Sequence, residues 1–318
     1  MQVKDPALPG QIADVDLRLL RVFKAVADCG GMSAAELELD IAMSTISRHI
    51  KDLEQRLGLV LCRRGRSGFA LTPEGEQLYR AADQLLAATE TFRSGLHEIH
   101  RRMGGDLHVA VFEKTASNPQ CHIAEAVARF QRQAPGVNLH MHVGTIGMIE
   151  RGVIDGQFQL GIVPEHRRSE RLIYEDLFGE TMLLYAGAGH PWFTARRAGL
   201  GWADLRRQPL ASLAYHSPNL MLMHKHRLER RAFASDQEAV ATLVLSGCYL
   251  GFLPDHYAQP FVRAGRLRAV ATDTLRYLCR YSCVRRRSPA GSRVAQAFHR
   301  ALVQAHAGNE PAGNETPA

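Results

Sequence analysis

Ser33-Ala-Ala-Glu-Leu-Glu-Leu39 and, after a four-residue gap, Ser44-Thr-Ile-Ser47-Arg48-His-Ile50-Lys51-Asp-Leu53-Glu54-Gln-Arg-Leu57-Gly58 set the architecture of the N-terminal third. Ser33 and Glu36 have capping-box spacing, which predicts a short helix opened by reciprocal side-chain bonds and running to Leu39. Asp40-Ile41-Ala42 reads as a turn. Ile46, Ile50, Leu53 and Leu57 recur at three- and four-residue steps, so Met43–Leu57 is a helix with one apolar face, stopped by Gly58. Two short helices joined by a tight turn form a helix-turn-helix, whose second helix fits a major groove. Its outer face carries Ser44, Thr45, Ser47, Arg48 and Lys51, hydroxyl and cationic groups suited to base edges and phosphates. The pattern alone fits equally a small three-helix domain with a solvated polar face.

Upstream, Leu17, Leu20, Phe23 and Val26 make Asp16–Ala27 an amphipathic helix ended at Cys29-Gly30-Gly31. Downstream, Leu59–Thr72 has two short extended runs around an Arg63-Arg64-Gly-Arg66-Ser-Gly68 tip, a hairpin or wing with its charge at the turn. Thr72-Pro73-Glu74-Gly75 then starts a helix. Along it Leu78, Ala82, Leu85, Thr89, Phe92, Leu96, Ile99 and Met103 alternate steps of four and three. A helix of about 30 residues cannot bury such a heptad seam alone. A second copy is the expected partner, through Leu78, Leu85, Phe92 and Leu96; the alternative is packing on the chain's own C-terminal domain.

Together these pieces resemble the DNA-binding domain of LysR-type transcriptional regulators over about residues 16–103. The resemblance rests on the two quoted runs, on Leu61-Cys-Arg-Arg64 and on Leu71-Thr72-Pro73-Glu-Gly75. It implies that Ser33, Ser44, Thr45, Ser47, Arg48, Lys51, Arg64 and Arg66 contact double-stranded DNA, and that the long helix pairs two subunits. Ala42 stands where the family usually has a serine capping the reading helix, and Met43 where glutamine or proline is common. These departures bear on the target sequence more than on DNA binding itself.

From Gly104-Gly105 onward short apolar runs alternate with helical patterns, the texture of an α/β domain. Strands are expected at 107–111, 137–143, 160–163, 182–185, 210–212, 233–235, 250–253 and 276–284. Helices are expected at 119–133, 147–152, 236–246 and 292–306. The layout is similar to the family's two-subdomain effector domain, of the kind found in periplasmic binding proteins. The resemblance divides the chain into a winged helix-turn-helix (1–72), a linker helix (73–103), an effector domain (104–306) and a disordered tail (307–318). Subdomain I takes 104–163 and 272–306, and subdomain II takes 164–271. Cleft positions carried over are Thr115 and Ser117 in a loop longer than usual, Thr145 and Ile146 after the second strand, and His216 and Phe252 across the cleft. Hydroxyls and amides at strand ends and helix N-termini favour a small organic acid.

Composition sets the limits. The 318 residues are 46% hydrophobic and 22% charged, as in packed domains, with no apolar run long enough to span a membrane. Asp5, Asp14 and Asp16 and the missing apolar core segment argue against a secretory leader, so a cytoplasmic protein is expected. The six cysteines are scattered and contain no Cys-x-x-Cys pair, which argues against disulfides or structural zinc. Net charge is +7, all of it beyond residue 103, so bulk charge does not locate a DNA surface. His140-x-His142 and His224-x-His226 have no carboxylate or cysteine at ligand spacing, and no metal or cofactor is expected. Nucleophile elbows, phosphate loops and zincin motifs are missing, and only His216 is a candidate acid or base, so an enzyme is not expected. The expected protein is a homodimeric or homotetrameric regulator that binds a roughly palindromic operator, responds to a small effector and can contact RNA polymerase. A small-molecule-binding module without specific DNA recognition is the alternative.

Overall fold

The computed structural model describes residues 14–65, 68–99, 103–194, 199–288 and 291–308. The chain divides into two compact units, 1–93 and 94–318.

In the first unit α1 (Asp14–Asp28), α2 (Met32–Leu39) and α3 (Met43–Leu57) pack around Leu19, Phe23, Val26, Ala35, Ile46, Ile50 and Leu53. Gly58 ends α3 in the left-handed conformation at φ 66°, its N–H on the Glu54 carbonyl. The hairpin β1 (Cys62–Gly65) and β2 (Gly68–Leu71) follows, and Glu54 Oε1 ties it to α3 by accepting from Leu61 N at 2.8 Å. Thr72 starts α4 (Pro73–Ile99) as expected: its Oγ1 accepts from Gly75 N at 2.9 Å and donates to the Val60 carbonyl at 2.6 Å. A Cβ on Gly75 would stand 2.0 Å from the Leu61 carbonyl oxygen, so only glycine admits this junction.

The capping box at Ser33 is not formed. Met32 already opens α2, Ser33 lies exposed in its first turn, and no side chain caps it. Glu36 reaches forward instead: its Oε1 accepts from Met43 N at 3.1 Å, at the start of α3. Ala42 supplies no side-chain cap, and this carboxylate takes one of the amides left over.

The second unit is built on one nine-stranded sheet. In chain order its elements are β3 (Gly105–Val111), a single 3-10 turn (Thr115–Ser117), α5 (Ile123–Gln133), β4 (Val137–Val143), α6 (Ile146–Asp155) and β5 (Leu160–Pro164). Then come β6 (Leu172–Gly187), α7 (Pro191–Thr194), α8 (Trp202–Leu205), β7 (Leu210–Leu213), α9 (Pro218–Lys225) and β8 (Arg230–Ala234). The last are α10 (Gln237–Leu245), β9 (Leu250–Pro254), α11 (Asp255–Arg263), β10 (Leu267–Ala269), β11 (Arg276–Arg286) and α12 (Arg293–His306). Strand order is β4-β3-β5-β11-β6-β9-β7-β8, with β10 also on β6. Parallel β3, β4 and β5 form one lobe and parallel β7, β8 and β9 the other. The antiparallel pair β6 and β11 passes between them.

Three sequence expectations are corrected. The helix expected from Pro119 begins at Ile123, because Asn118 holds a turn: its Oδ1 accepts from Gln120 N and its Nδ2 donates to the Gly179 carbonyl. The strand expected at 182–185 runs from Leu172 to Gly187, its polar first half paired with β11. The helix expected at 147–152 runs from Ile146 to Asp155. The 309–318 part of the expected tail lies outside the described residues.

Candidate functional site

Two groups of residues stand apart from the cores. The first is the outer face of α3. Ser44, Arg48 and Lys51, at i, i+4 and i+7, are exposed in one row, with Thr45 and Ser47 half-buried beside it. Neither Arg48 nor Lys51 has a carboxylate partner among the described residues. Arg56, one turn further, is held by Asp16 at 2.7 Å. The row therefore offers a rigid, cationic, hydroxyl-bearing helix face. Ser33 is exposed on the preceding helix. The side chain of Arg64 and the whole of Arg66 lie outside the described residues.

The second group lies where the carboxyl ends of the parallel strands of the two lobes meet, the place where open α/β sheets hold ligands. After β3, Glu113 Oε1 accepts the N–H of Gln237, at the start of α10, at 2.8 Å. Lys114 pairs with Glu238 and sits 4.7 Å from the centre of the Tyr257 ring. Ser117 Oγ meets His256 Nδ1 at 2.9 Å, and the other nitrogen of that ring meets the buried Glu180 at 3.0 Å. Glu180 also accepts from Tyr281 at 3.0 Å, and burial pushes its pKa up. After β5, His166 binds Glu150 at 3.2 Å and faces the His216 ring at 6.2 Å. Burial opposes charge on His166, but Glu150 and the Pro164 carbonyl outweigh it and raise its pKa.

The sequence matches the LysR substrate binding domain over residues 100–307 and the bacterial regulatory helix-turn-helix of the lysR family over residues 17–76. The chain belongs to the LysR family of transcriptional regulators. The HTH-type transcriptional activator BauR of Pseudomonas aeruginosa is 36% identical over 300 residues, 94% of this chain and 98% of that protein. The SDS degradation transcriptional activation protein of a Pseudomonas species is 25% identical over 304 residues, covering 93% and 98%. In fold, the chain is similar to the crystal structure of CbnR, a LysR family transcriptional regulator, with a TM-score of 0.63 at 19% identity over 91% of this chain and 99% of that one. CbnR complexed with its target DNA gives 0.61 at 20% identity over the same shares. The helix-turn-helix and the two-lobed domain of this LysR-type regulator are thus its DNA-binding and effector-binding parts, and no helix among the described residues is long and apolar enough to cross a membrane.

Of the six expected effector residues, three present no open side chain. Thr115 and Ile146 are buried, and Phe252 is fully buried between Trp202 and Tyr277 in the second lobe. Its alternation along β9 points it into the core, not at the strand end. Ser117, Thr145 and His216 are exposed, and Thr145 caps α6 by accepting from Met148 N. The linker seam also divides. Ala82 is buried in the core of the first unit and Leu78 and Leu85 pack against it, whereas Phe92 is exposed and the Leu96 side chain lies outside the described residues.

Sequence reasoning missed Glu113 and Gln237. Glu113 follows Val111-Phe112 at a strand end, the one signal that pointed to it. Gln237 is 4% exposed, and its Oε1 is buried with no donor among the described residues. Burial drives the Glu113 pKa up to about 7, with Asp236 adding to the shift and the Gln237 N–H opposing it. The unfolded carboxyl titrates near 4.5. Glu113 therefore contributes stability that is complete below pH 4.5 and is lost as the pH rises to 7. Glu113→Gln keeps an acceptor for Gln237 N and removes the titration. Its melting temperature should match the parent's near pH 4.5, exceed it increasingly up to pH 7, and keep a constant lead above. A lead that does not change with pH would contradict the assignment.

Proposed function

We propose that this regulator is a cytoplasmic transcriptional activator, a homodimer or homotetramer whose paired α3 helices read a roughly palindromic operator. The observation that carries the reading is the exposed row Ser44, Arg48 and Lys51 on a helix fixed at both ends, by Glu36 and by Gly58. Two such helices about one DNA turn apart require half-sites with the same spacing. The names of BauR and the SDS degradation protein, both activators, support the direction of control, and RNA polymerase is then the protein partner. No catalytic role is assigned.

The effector is a small organic acid held between the lobes. Thr145 opens α6, a helix of ten residues, and the free amides of its first turn favour a carboxylate. The unpaired acceptor on Gln237 and the Glu113 carboxyl favour an acid that also brings a donor, a hydroxyl or an amino group. Binding at both lobes changes their angle and so the spacing of the DNA-binding pairs.

A gel shift on the DNA upstream of the protein's own coding region tests the regulator reading. With nonspecific competitor, retardation should be specific and weaken about 10³-fold or more between 50 and 200 mM salt. Hydroxy and amino acids added next should change the footprint, and plain acids less. A folded oligomer that retards no neighbouring intergenic DNA would reject the reading in favour of a binding module without sequence recognition.

A further inference from the structure

A cavity of about 300 Å³ lies in the first lobe at the other end of the strands, where the first residue of β5, the last residues of β11 and the first turns of α12 come together. Leu160, which lines it, opens β5; the interlobe groups lie beyond Pro164 at the far end of that strand. Three arginines line the cavity, Arg285, Arg286 and Arg300, and no carboxylate among the described residues does.

Most of the polar lining is already satisfied. Arg286 donates to the Ile154 carbonyl through Nε at 3.0 Å and through one terminal nitrogen. His299 is held by Glu175 at 2.7 Å, and Gln296 Nε2 donates to the Gly291 carbonyl at 2.7 Å. Gln159 Oε1 accepts from His108 N at 2.7 Å. Two guanidiniums remain. Arg285 Nε is buried and no group among the described residues accepts from it. Arg300, on α12, has no acidic partner among the described residues. Arg285 is half-buried and Arg300 exposed, so the cost falls on the buried Arg285 N–H, which calls for a group that supplies an acceptor. Leu160 and Ala295 make the remaining wall apolar.

We propose that this cavity is a second ligand site, for a small oxyanion, with a carboxylate or phosphate group on Arg285 and Arg300 and a short apolar body against Leu160 and Ala295. It goes beyond the interlobe reading and does not depend on it. Planar guanidiniums match both head groups, and a bound anion would join β11 to α12 through charge-assisted hydrogen bonds.

The test uses the full chain at constant ionic strength, with inorganic phosphate and butyrate as separate probes in thermal unfolding and calorimetric titration. At saturation one of them should raise the melting temperature by about 5 °C. A larger response to phosphate assigns a phosphate-bearing ligand, and a larger response to butyrate an organic acid; either supports the site. Arg285→Met should abolish the response while leaving the anion-free melting temperature equal or higher, because it removes a buried N–H that has no acceptor among the described residues. Arg300→Ala, on the helix surface, should weaken the affinity at least tenfold and carries the test if Arg285→Met does not fold. Thr145→Ala, at the interlobe site, should leave the response intact. The proposal is overturned if neither anion is bound, if the response survives both arginine variants, or if Thr145→Ala removes it.

Discussion

Arg48→Ala should reduce operator affinity by about 30-fold to 10⁴-fold while leaving the melting temperature within about 1 °C of the parent. Arg48 is exposed in the middle of α3 and has no carboxylate partner among the described residues, so its removal breaks no ion pair there. Surface changes of this kind usually shift stability by about 0.5 kcal/mol or less. At the DNA, a bidentate arginine on a base edge is worth about 1–3 kcal/mol of discrimination. A dimer makes the contact twice, which gives about 2–6 kcal/mol and the range above. Arg48→Lys should restore only part of the loss, because an ammonium cannot present the paired donors. Affinity measured at several salt concentrations separates two origins. A base contact leaves the salt slope nearly unchanged and relaxes sequence preference. A phosphate contact lowers the slope by about one per copy and weakens all sequences alike. Unchanged affinity at fixed salt would remove Arg48 from the reading face.

The N-terminal unit was legible because its signals are local. The apolar steps of α3 and the left-handed turn at Gly58 all lie within a few residues of what they determine. Even there the longer reach failed. Ser33-x-x-Glu36 has the right spacing for a capping box, yet Glu36 serves the next helix, because which amide a carboxylate meets depends on how two helices cross. The same limit explains β6. Tyr174, Glu175 and Asp176 lie outside the strand expected at 182–185, but each finds its partner far along the chain: Tyr174 on Glu150, Glu175 on His299, and Asp176 on Ser282. A strand whose polar groups are satisfied from elsewhere carries no alternation to detect. In the effector domain the strand ends were placed well enough to find the lobe junction but not the side chains that face it. Phe252 turns into the core, whereas Glu113, one residue from Lys114, faces α10.

Phe92→Asp should convert the protein to a monomer at micromolar concentration and cost it most of its operator affinity, with the first unit still folded. The four seam residues expected at the subunit contact do not have the same surroundings. Leu85 packs against the chain's own helix-turn-helix core, so Leu85→Asp would place a carboxylate on that core and destabilise the unit whatever the oligomeric state. Phe92 lies seven residues further along α4 on the same stripe and is 68% exposed, so within its own unit it has nothing to lose. A phenylalanine side chain removed from water contributes about 1.5–3 kcal/mol, and a two-fold contact buries two, about 3–6 kcal/mol in all. That corresponds to a dissociation constant raised about 10²-fold to 10⁴-fold, before the repulsion between two facing carboxylates is added. Loss of the dimer then leaves one reading helix per protein, and simultaneous engagement of two half-sites is lost with it. Sedimentation and far-ultraviolet circular dichroism on the same samples decide the matter. A folded Phe92→Asp variant that sediments as the parent oligomer would show that α4 is not the subunit contact. Unfolding of that variant, with Leu85→Asp intact, would reverse the assignment of the two residues.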